Sequence, residues 1–428
     1  MGGDGKYWNR EIETMPLERL FQRQFEKLKW YVEYAYNNST YYRQMMDEKR
    51  MKPNDVRNVE DYYENFPFIT KDILIENQLK NPPLGNFLTV DPVQLIKIYV
   101  TPGPIFVPFT EQDYDMETDL YANAFYTCGA RREDIVDITL TYHWAVAGTV
   151  FDDALRKIGC AVIPGGPGQS KMHAEYLKKT KATILCAFPS FANQIVEAAK
   201  EMGFDPQKDF SLRLLMITGE VRSEEAKRSL GKIFNADIKE GYGTTELGLI
   251  GSECQEGGGF HLNGDVVFET IDPKTGKHLP YGEAGEIVAT SFTKRALPVI
   301  RYRTGDLVGP LNMERCPCGR TTPRMLRILG RASDIAKVKG MFVVPRQVED
   351  VITKFPELGR YQIIVDHPKT VDILTVMVEI KEKVDLKKME QLLVKELKEA
   401  IKLTAEVKLV NRGTIPENVS ILDDRRKA

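Results

Sequence analysis

Gly241-Tyr242-Gly243-Thr244-Thr245-Glu246 places an aromatic face, two hydroxyls and a carboxylate on what reads as a glycine-loosened turn. It follows Ala236-Asp237-Ile238-Lys239, which has the composition of a short strand. Upstream, between Asp134 and Asn235, apolar runs at Val136–Leu140, Cys160–Pro164, Thr183–Pro189 and Leu212–Thr218 are separated by segments with helical spacing. Short strands alternating with helices predict a parallel sheet covered on both faces. Ligands of such sheets bind beyond the carboxyl ends of the strands, so the Gly241 stretch falls at a ligand-facing edge. The fold class expected is α/β, with a large N-terminal domain of parallel βα-layered sheets over residues 1–330.

Past Gly330 the pattern changes. Val348, Val351, Ile352 and Phe355 make a short helical face, Tyr361–Val365 and Ile373–Ile380 read as strands, and Leu386–Ile401 as a helix, before a closing strand at Val407–Val410. The order αββαβ predicts a small α+β domain over residues 331–428 with a mostly antiparallel sheet, and the boundary falls at Arg331–Asp334. At the other end, Pro16–Tyr36 carries Leu17, Leu20, Phe21, Phe25, Leu28 and Val32 on one helical face, and Asn37–Tyr42 breaks the pattern.

Composition narrows the function. With 428 residues, 42% hydrophobic and 28% charged, the chain is an ordinary globular one, and its net charge of −2 lacks the basic excess of a nucleic-acid surface. No apolar run approaches the length that spans a bilayer. The polar N-terminus has no signal-peptide core, and six cysteines fit a reducing compartment. The expectation is a cytoplasmic protein with no membrane and no nucleic-acid partner.

A second stretch, Tyr302-Arg303-Thr304-Gly305-Asp306, puts an aspartate just past a basic pair. Together the two stretches make a kit for ATP: a ring for adenine, hydroxyls for phosphate, Glu246 for magnesium and Asp306 for ribose hydroxyls. Magnesium is usually held by one or two carboxylates plus substrate phosphates. Either stretch alone could be a Gly-rich surface turn.

In order and wording these stretches resemble the adenylate-forming superfamily of acyl-CoA ligases, and within it the phenylacetate-CoA ligase family. The resemblance implies that Gly241, Tyr242, Gly243 and Thr244 line the nucleotide site, that Thr245 contacts the α-phosphate and that Glu246 holds magnesium. It also implies that Asp306 and Arg331 bind the ribose and that Gly219-Glu220 touches adenine. Lys337 and Gly340 would reach the active site when the small domain rotates; Lys337 could equally sit on a solvated basic loop. The chemistry implied is AMP-forming: a carboxylic acid becomes an acyl-adenylate, and CoA then displaces AMP. The family is dimeric, which implies a homodimer.

The chain departs from the family's pattern at three places. The phosphate loop, normally Ser/Thr/Gly-rich and ending in Gly-Lys-Pro, is here Tyr99-Val100-Thr101-Pro102-Gly103-Pro104-Ile105-Phe106-Val107-Pro108. It keeps Thr101 and Gly103 but has lost the lysine, and its prolines lack N–H donors. Gly413-Thr414-Ile415-Pro416 matches the approach to the C-terminal adenylation lysine, yet no lysine follows before Lys427. The hinge position is Ser333.

Cys254, His261, Cys316 and Cys318 offer three thiolates and an imidazole, a full tetrahedral set for structural zinc; unrelated buried thiols are the alternative. A subset of phenylacetate-CoA ligases carries a similar zinc-bound set. Cys128, Cys160 and Cys186 lie in apolar runs and read as inert core. For the acyl substrate, Tyr142, His143, Trp144 and Ala145 follow one strand and Phe188 another; an aromatic wall suits an aromatic or other flat acid, and ordinary packing would use the same residues. Two other functions share this kit: adenylyl transfer to a phenolic oxygen, as in the related coenzyme F390 synthetases, and nucleotide or acyl binding without turnover.

Overall fold

Pro16 sits in extended backbone (φ −53°, ψ 138°) and hands the chain to α1 (Leu17–Asn38). The helix buries Leu20, Gln24, Leu28, Tyr31, Val32 and Ala35, a stripe turned toward Tyr31 relative to the face expected, with Phe21 and Phe25 partly buried beside it. Polar groups fix its register: Gln24 Nε2 donates to the Val266 carbonyl at 2.9 Å and Tyr31 Oη to the Lys294 carbonyl at 2.7 Å. The break after α1 is a single residue, Ser39, whose hydroxyl accepts from the Tyr42 amide and starts α2 (Thr40–Glu48).

In this computed structural model the described residues are 5–101, 103–219, 224–338, 341–367, 372–382, 385–416 and 419–427. The chain divides into two units, Met1–Thr304 with Val308–Ile328, and Gly305–Leu307 with Leu329–Ala428.

In the first unit, α3 (Lys71–Lys80) is capped by Thr70 and precedes an antiparallel hairpin of β1 (Leu95–Val100) and β2 (Phe106–Thr110). Then come α4 (Glu111–Cys128), β3 (Ile135–Ile138), α5 (Ala147–Ile158), β4 (Ala161–Ile163), α6 (Ser170–Thr180), β5 (Ile184–Ala187), α7 (Pro189–Glu201), β6 (Leu214–Ile217), α8 (Glu224–Phe234) and β7 (Asp237–Thr244). All four apolar runs are strands, and β4, β3, β5, β6 and β7 pair in parallel in that order. At β7 the sheet changes character. β8 (Gly248–Glu253) and β9 (Phe260–Leu262) return as antiparallel neighbours, followed at the edge by β15 (Arg324–Met325) and β14 (Leu311–Asn312). Strands β10 (Val266–Ile271), β11 (His278–Leu279), β12 (Gly285–Ser291) and β13 (Tyr302–Val308) lie side by side in a second sheet, in the order β11-β10-β12-β13.

One buried charge pair under the parallel sheet has a pH signature. His173 on α6 sets Nδ1 2.7 Å from Asp137 Oδ2 and Nε2 3.0 Å from the Gly166 carbonyl. Both ring nitrogens face acceptors, which only the imidazolium satisfies together. Burial opposes the charge, but the Asp137 hydrogen bond and charge, with the Gly166 carbonyl, outweigh it and raise the pKa above the ordinary 6.5. A raised folded-state pKa gives stability that is complete below the unfolded value and is lost as pH rises through the folded one. In urea melts, wild type should exceed His173→Asn most at pH 6, and the gap should narrow toward pH 9; a gap independent of pH would contradict the charged pair.

After β16 (Ile328–Arg331) the second unit holds a hairpin, β17 (Ala336–Val338) and β18 (Met341–Val343), then α9 (Pro345–Ile352), β19 (Leu358–Asp366), β20 (Ile373–Ile380), α10 (Leu386–Ile401), β21 (Glu406–Asn411) and β22 (Leu422–Asp424). Its sheet runs β21-β20-β19-β22. Only β19 and β20 are antiparallel; β20 pairs with β21, and β19 with β22, in parallel. The mostly antiparallel sheet expected is corrected on this point. The helix α10 carries the chain back along the sheet before β21 is laid down, and a strand reached by such a crossover pairs in parallel. No helix among the described residues is long and apolar enough to cross a membrane.

Candidate active site and metal centre

The motif is strand before it is turn. Gly241, Tyr242, Gly243 and Thr244 belong to β7 and pair with β8, with an irregularity between Tyr242 and Gly243. Gly243 serves close pairing: a Cβ there would stand 2.5 Å from the Gly248 carbonyl oxygen, whereas one on Gly241 would make only an ordinary contact at 3.5 Å. The turn expected over the whole stretch begins only at Thr244, whose hydroxyl accepts from the Leu247 amide at 3.2 Å. Thr245 and Glu246 are therefore carried at the tip of a hairpin at the carboxyl end of a parallel strand, where ligands of such sheets bind. Tyr242 is buried, and Glu246 is 6% exposed.

Behind the tip lies a charge pair that sequence reasoning missed. Lys294 Nζ is 3.1 Å from Glu117 Oε1, both side chains being almost fully buried, and Thr293 donates to Glu117 Oε2 at 3.1 Å. Burial lowers the Lys294 pKa, while Glu117, Asp113 and Glu246 pull it back up. Glu117 also presses against the hairpin, since a Cβ on Gly248 would meet its Oε2 at 2.4 Å. No spacing rule marks a lone Glu on α4 and a Lys 177 positions later as partners; burial of both is the only signal, and it is a tertiary one.

The adenine side is built from neighbouring strands. Ile217, the last residue of β6, stands opposite Glu240 of β7, and Gly219 follows two residues after that strand ends. Gly219 has φ 77°, and a Cβ there would strike the Phe188 ring at 2.2 Å; the structure thus brings an expected acyl residue against the expected adenine turn. Glu220 lies outside the described residues. In the second unit Asp306 and Arg331 form an ion pair of 3.2 Å (Oδ1 to Nε), joining the two expected ribose residues. The basic pair before Asp306 is structural: buried Arg301 pairs with Glu269 at 2.6 Å, and Arg303 engages Glu286. Lys337 lies on β17, and its side chain is not among the described residues; Gly340 lies outside them. Ser333 hydrogen-bonds Asp334 at 2.7 Å. Gly413 to Pro416 is fastened to β20 by the Ile415 amide donating to Glu379 at 2.8 Å, and the side chain of Lys427 is not described.

The phosphate loop is the link from β1 to β2. The Thr101 amide donates to the Ile105 carbonyl at 3.0 Å, and the Thr101 hydroxyl accepts from the Ile105 amide at 3.1 Å. Thr101 is thereby committed to closing its own turn, with Gly103 (φ 79°) exposed at the tip. The Val100 amide donates to the Trp144 carbonyl at 2.9 Å, tying this turn to the 142–145 loop. In that loop Tyr142 donates to Asp152 at 3.1 Å, the Ala145 amide approaches the His143 carbonyl at 2.6 Å, and Trp144 is 80% exposed with φ 61°. A cavity of about 50 Å³ lies instead under the motif, walled by Tyr121, Phe125, Phe151, Met216, Gly241 and Gly243 among others, and none of Tyr142, His143, Trp144, Ala145 or Phe188 lines it.

The four expected metal ligands converge. One donor atom each from Cys254, His261, Cys316 and Cys318 lie within 4.8 Å of one another, all four residues buried. Cys254 and Cys316 sulfurs are 3.8 Å apart, and Cys318 Sγ is 3.5 Å from His261 Nε2. His261 Nδ1 faces the Thr322 carbonyl at 3.2 Å and hydroxyl at 3.1 Å. An outer partner on the second ring nitrogen is the usual accompaniment of a metal-bound histidine. A hydrogen bond with Cys254, and then the His261 ring, hold the Cys318 thiol far below its ordinary pKa. Cys128 and Cys160 are of the opposite kind: burial pushes each up to about 12, and burial also raises Cys186, as inert core thiols should be.

Comparison with known proteins agrees with this geometry. Residues 110–292 match the family model for an AMP-binding enzyme, and residues 340–425 that for the AMP-binding enzyme C-terminal domain. A phenylacetate-coenzyme A ligase of Aromatoleum evansii is 31% identical over 97% of this chain and 97% of its own. One from Escherichia coli (strain K12) is 30% identical over 95% of this chain and 94% of its own. Among solved structures, an open conformation of 2-hydroxyisobutyryl-CoA ligase in complex with 2-HIB-AMP and CoA shares the fold, with a TM-score of 0.89 at 22% identity over 99% of this chain and 95% of that one.

Proposed function

The chain belongs to the phenylacetate-coenzyme A ligase family, and we propose how its own residues carry the reaction and which acid they take. It is an AMP-forming acid–thiol ligase working through an acyl-adenylate. In the first half a carboxylate oxygen attacks the α-phosphorus of ATP, an acyl–O–P bond forms, and the bond to the β-phosphate oxygen breaks as pyrophosphate leaves with the electron pair. In the second half the CoA sulfur attacks the acyl carbon, AMP departs with its oxygen, and the thiol proton passes to solvent. Neither half needs a protein nucleophile; both need positioned partners for developing charge.

We assign the adenine wall to Tyr242 and Gly219, an α-phosphate hydrogen bond to the Thr245 hydroxyl, and the ribose hydroxyls to Asp306 with Arg331 alongside. Lys337 is assigned to the second half on the family resemblance. Glu246 would hold magnesium, which neutralises phosphate charge when bound. An aromatic acid is assigned on the resemblance to phenylacetate-coenzyme A ligases; the cavity of about 50 Å³ under Gly241 and Gly243 is smaller than a phenyl ring needs. The buried Cys/His/Cys/Cys set fits a structural zinc, its four donors leaving no open position, and reduced cysteines throughout favour a cytoplasmic protein.

The observation that carries this reading is the β7–β8 tip, which carries Thr245 and Glu246 at the carboxyl end of the parallel strands. The test is titration of the purified protein with Mg-ATP and with AMP in a calorimeter. Asp306→Ala removes charged hydrogen bonds to the ribose, which both ligands share, so both affinities should fall by about 10- to 100-fold. Unchanged AMP affinity in that variant would remove Asp306 from the site.

A further inference from the structure

The phosphate turn has no lysine of its own, and its threonine closes the turn with its amide and hydroxyl oxygen. Gly103 at its tip nevertheless has a cation over it. A Cβ on Gly103 would find, among the described residues other than its chain neighbours, Lys71 Nζ at 3.5 Å and Lys71 Cε at 3.6 Å. Lys71 comes from a remote part of the chain and is held there firmly. It opens α3 directly after Thr70, whose hydroxyl accepts from the Ile73 amide at 3.3 Å. One residue earlier, the Ile69 amide donates to the Arg301 carbonyl at 3.1 Å, and the Ile69 carbonyl accepts from the Arg303 amide at 2.9 Å. That two-bond clamp fixes the start of α3 against the strand whose Tyr302-Arg303-Thr304 leads to Asp306.

Lys71 is also poorly placed for the helix it opens. A cation in the first turn opposes the helix dipole, which favours acidic residues there, such as the neighbouring Asp72. We propose that Lys71 supplies, from α3, the ammonium that the phosphate turn lacks, binding the β- and γ-phosphates of ATP and the departing pyrophosphate. The assignment rests on the ligase reading above. It gives the shortened loop a division of labour: Gly103 keeps the tip open for close approach, and Lys71 brings the charge.

The experiment is calorimetry of wild type, Lys71→Gln and Lys71→Arg with three probes: Mg-ATP, AMP and inorganic pyrophosphate with magnesium. Loss of one charge-assisted contact weakens binding by about tenfold or more. Lys71→Gln should therefore lose about tenfold for Mg-ATP and pyrophosphate and stay within about twofold for AMP, with Lys71→Arg recovering most of the loss. Mg-ATP affinity unchanged in Lys71→Gln, with wild type binding normally, overturns the proposal and leaves the ligase reading intact. Equal losses for ATP and AMP also overturn it, because they place the effect in the adenosine site. Wild type binding neither nucleotide sinks both.

Discussion

Glu246→Gln lowers pyrophosphate release from Mg-ATP and acid by about 100- to 1,000-fold, the range typical for removing one preorganised charge partner of a transition state. The substitution keeps shape and removes charge at a side chain that is 6% exposed, so packing at the hairpin tip is unchanged. Its electrostatic cost to the fold is small, because Lys294 keeps its direct partner Glu117 at 3.1 Å and loses only the weakest of the acidic influences on it. The defect is confined to the first half-reaction. If Glu246 holds magnesium against the departing phosphates, CoA thioester formation from a chemically made acyl-adenylate should run within about tenfold of wild type, since the charge lost would act only on those phosphates. Pyrophosphate release at the wild-type rate, at limiting as well as saturating magnesium, would show that Glu246 holds no metal in the reaction.

If the Cys/His/Cys/Cys set holds the zinc proposed for it, Cys316→Ser takes bound zinc from one per chain to none and lowers the melting temperature by roughly 8 °C or more. Structural zinc sites are worth about 10–16 kcal/mol in isolated fingers; here the surrounding sheet survives without the ion, so a loss of about 4 kcal/mol is expected, at about 2 °C per kcal/mol for a large domain. The centre is a junction. Cys254 follows β8, His261 lies on β9, and the Cys316–Cys318 loop is clasped by the N-terminal segment, with Arg320 and Glu13 paired at 2.7 Å and Tyr7 donating to the Cys318 carbonyl. Elemental analysis of the purified protein with scanning calorimetry decides the matter. A zinc-free native protein whose Cys316→Ser variant melts within a degree or two of it would reduce the cluster to buried thiols.

Much of this architecture was legible in the residues because the signals were local. Four apolar runs at regular spacing give four parallel strands, and the Cys and His residues far apart in sequence, singled out by their donor chemistry together with the family resemblance, do meet. The misreadings came where tertiary pairing overrides composition. Gly241 and Gly243 look like turn residues, yet both lie in the strand, and at Gly243 β8 comes so close that only glycine fits. The β20–β21 pair looks antiparallel in a list of strands and is parallel because α10 intervenes. Lys71, Glu117 and Lys294 carry no motif; their partners lie tens to hundreds of residues away, and nothing short of the folded chain sets them side by side. Arg301 and Arg303 show the converse, a motif-borne charge spent on the acidic groups beneath it.

The docking of α1 has a consequence for biosynthesis. Its buried stripe is covered by residues such as Gly264 and Val266, some 240 positions downstream. At about 5–20 residues per second, synthesis of that stretch takes roughly 12–50 s. Throughout that interval Leu20 and Tyr31, which meet Gly264 and Phe292 in the fold, wait for that cover, so α1 completes its burial long after it is translated, and the nascent chain needs a chaperone over it meanwhile.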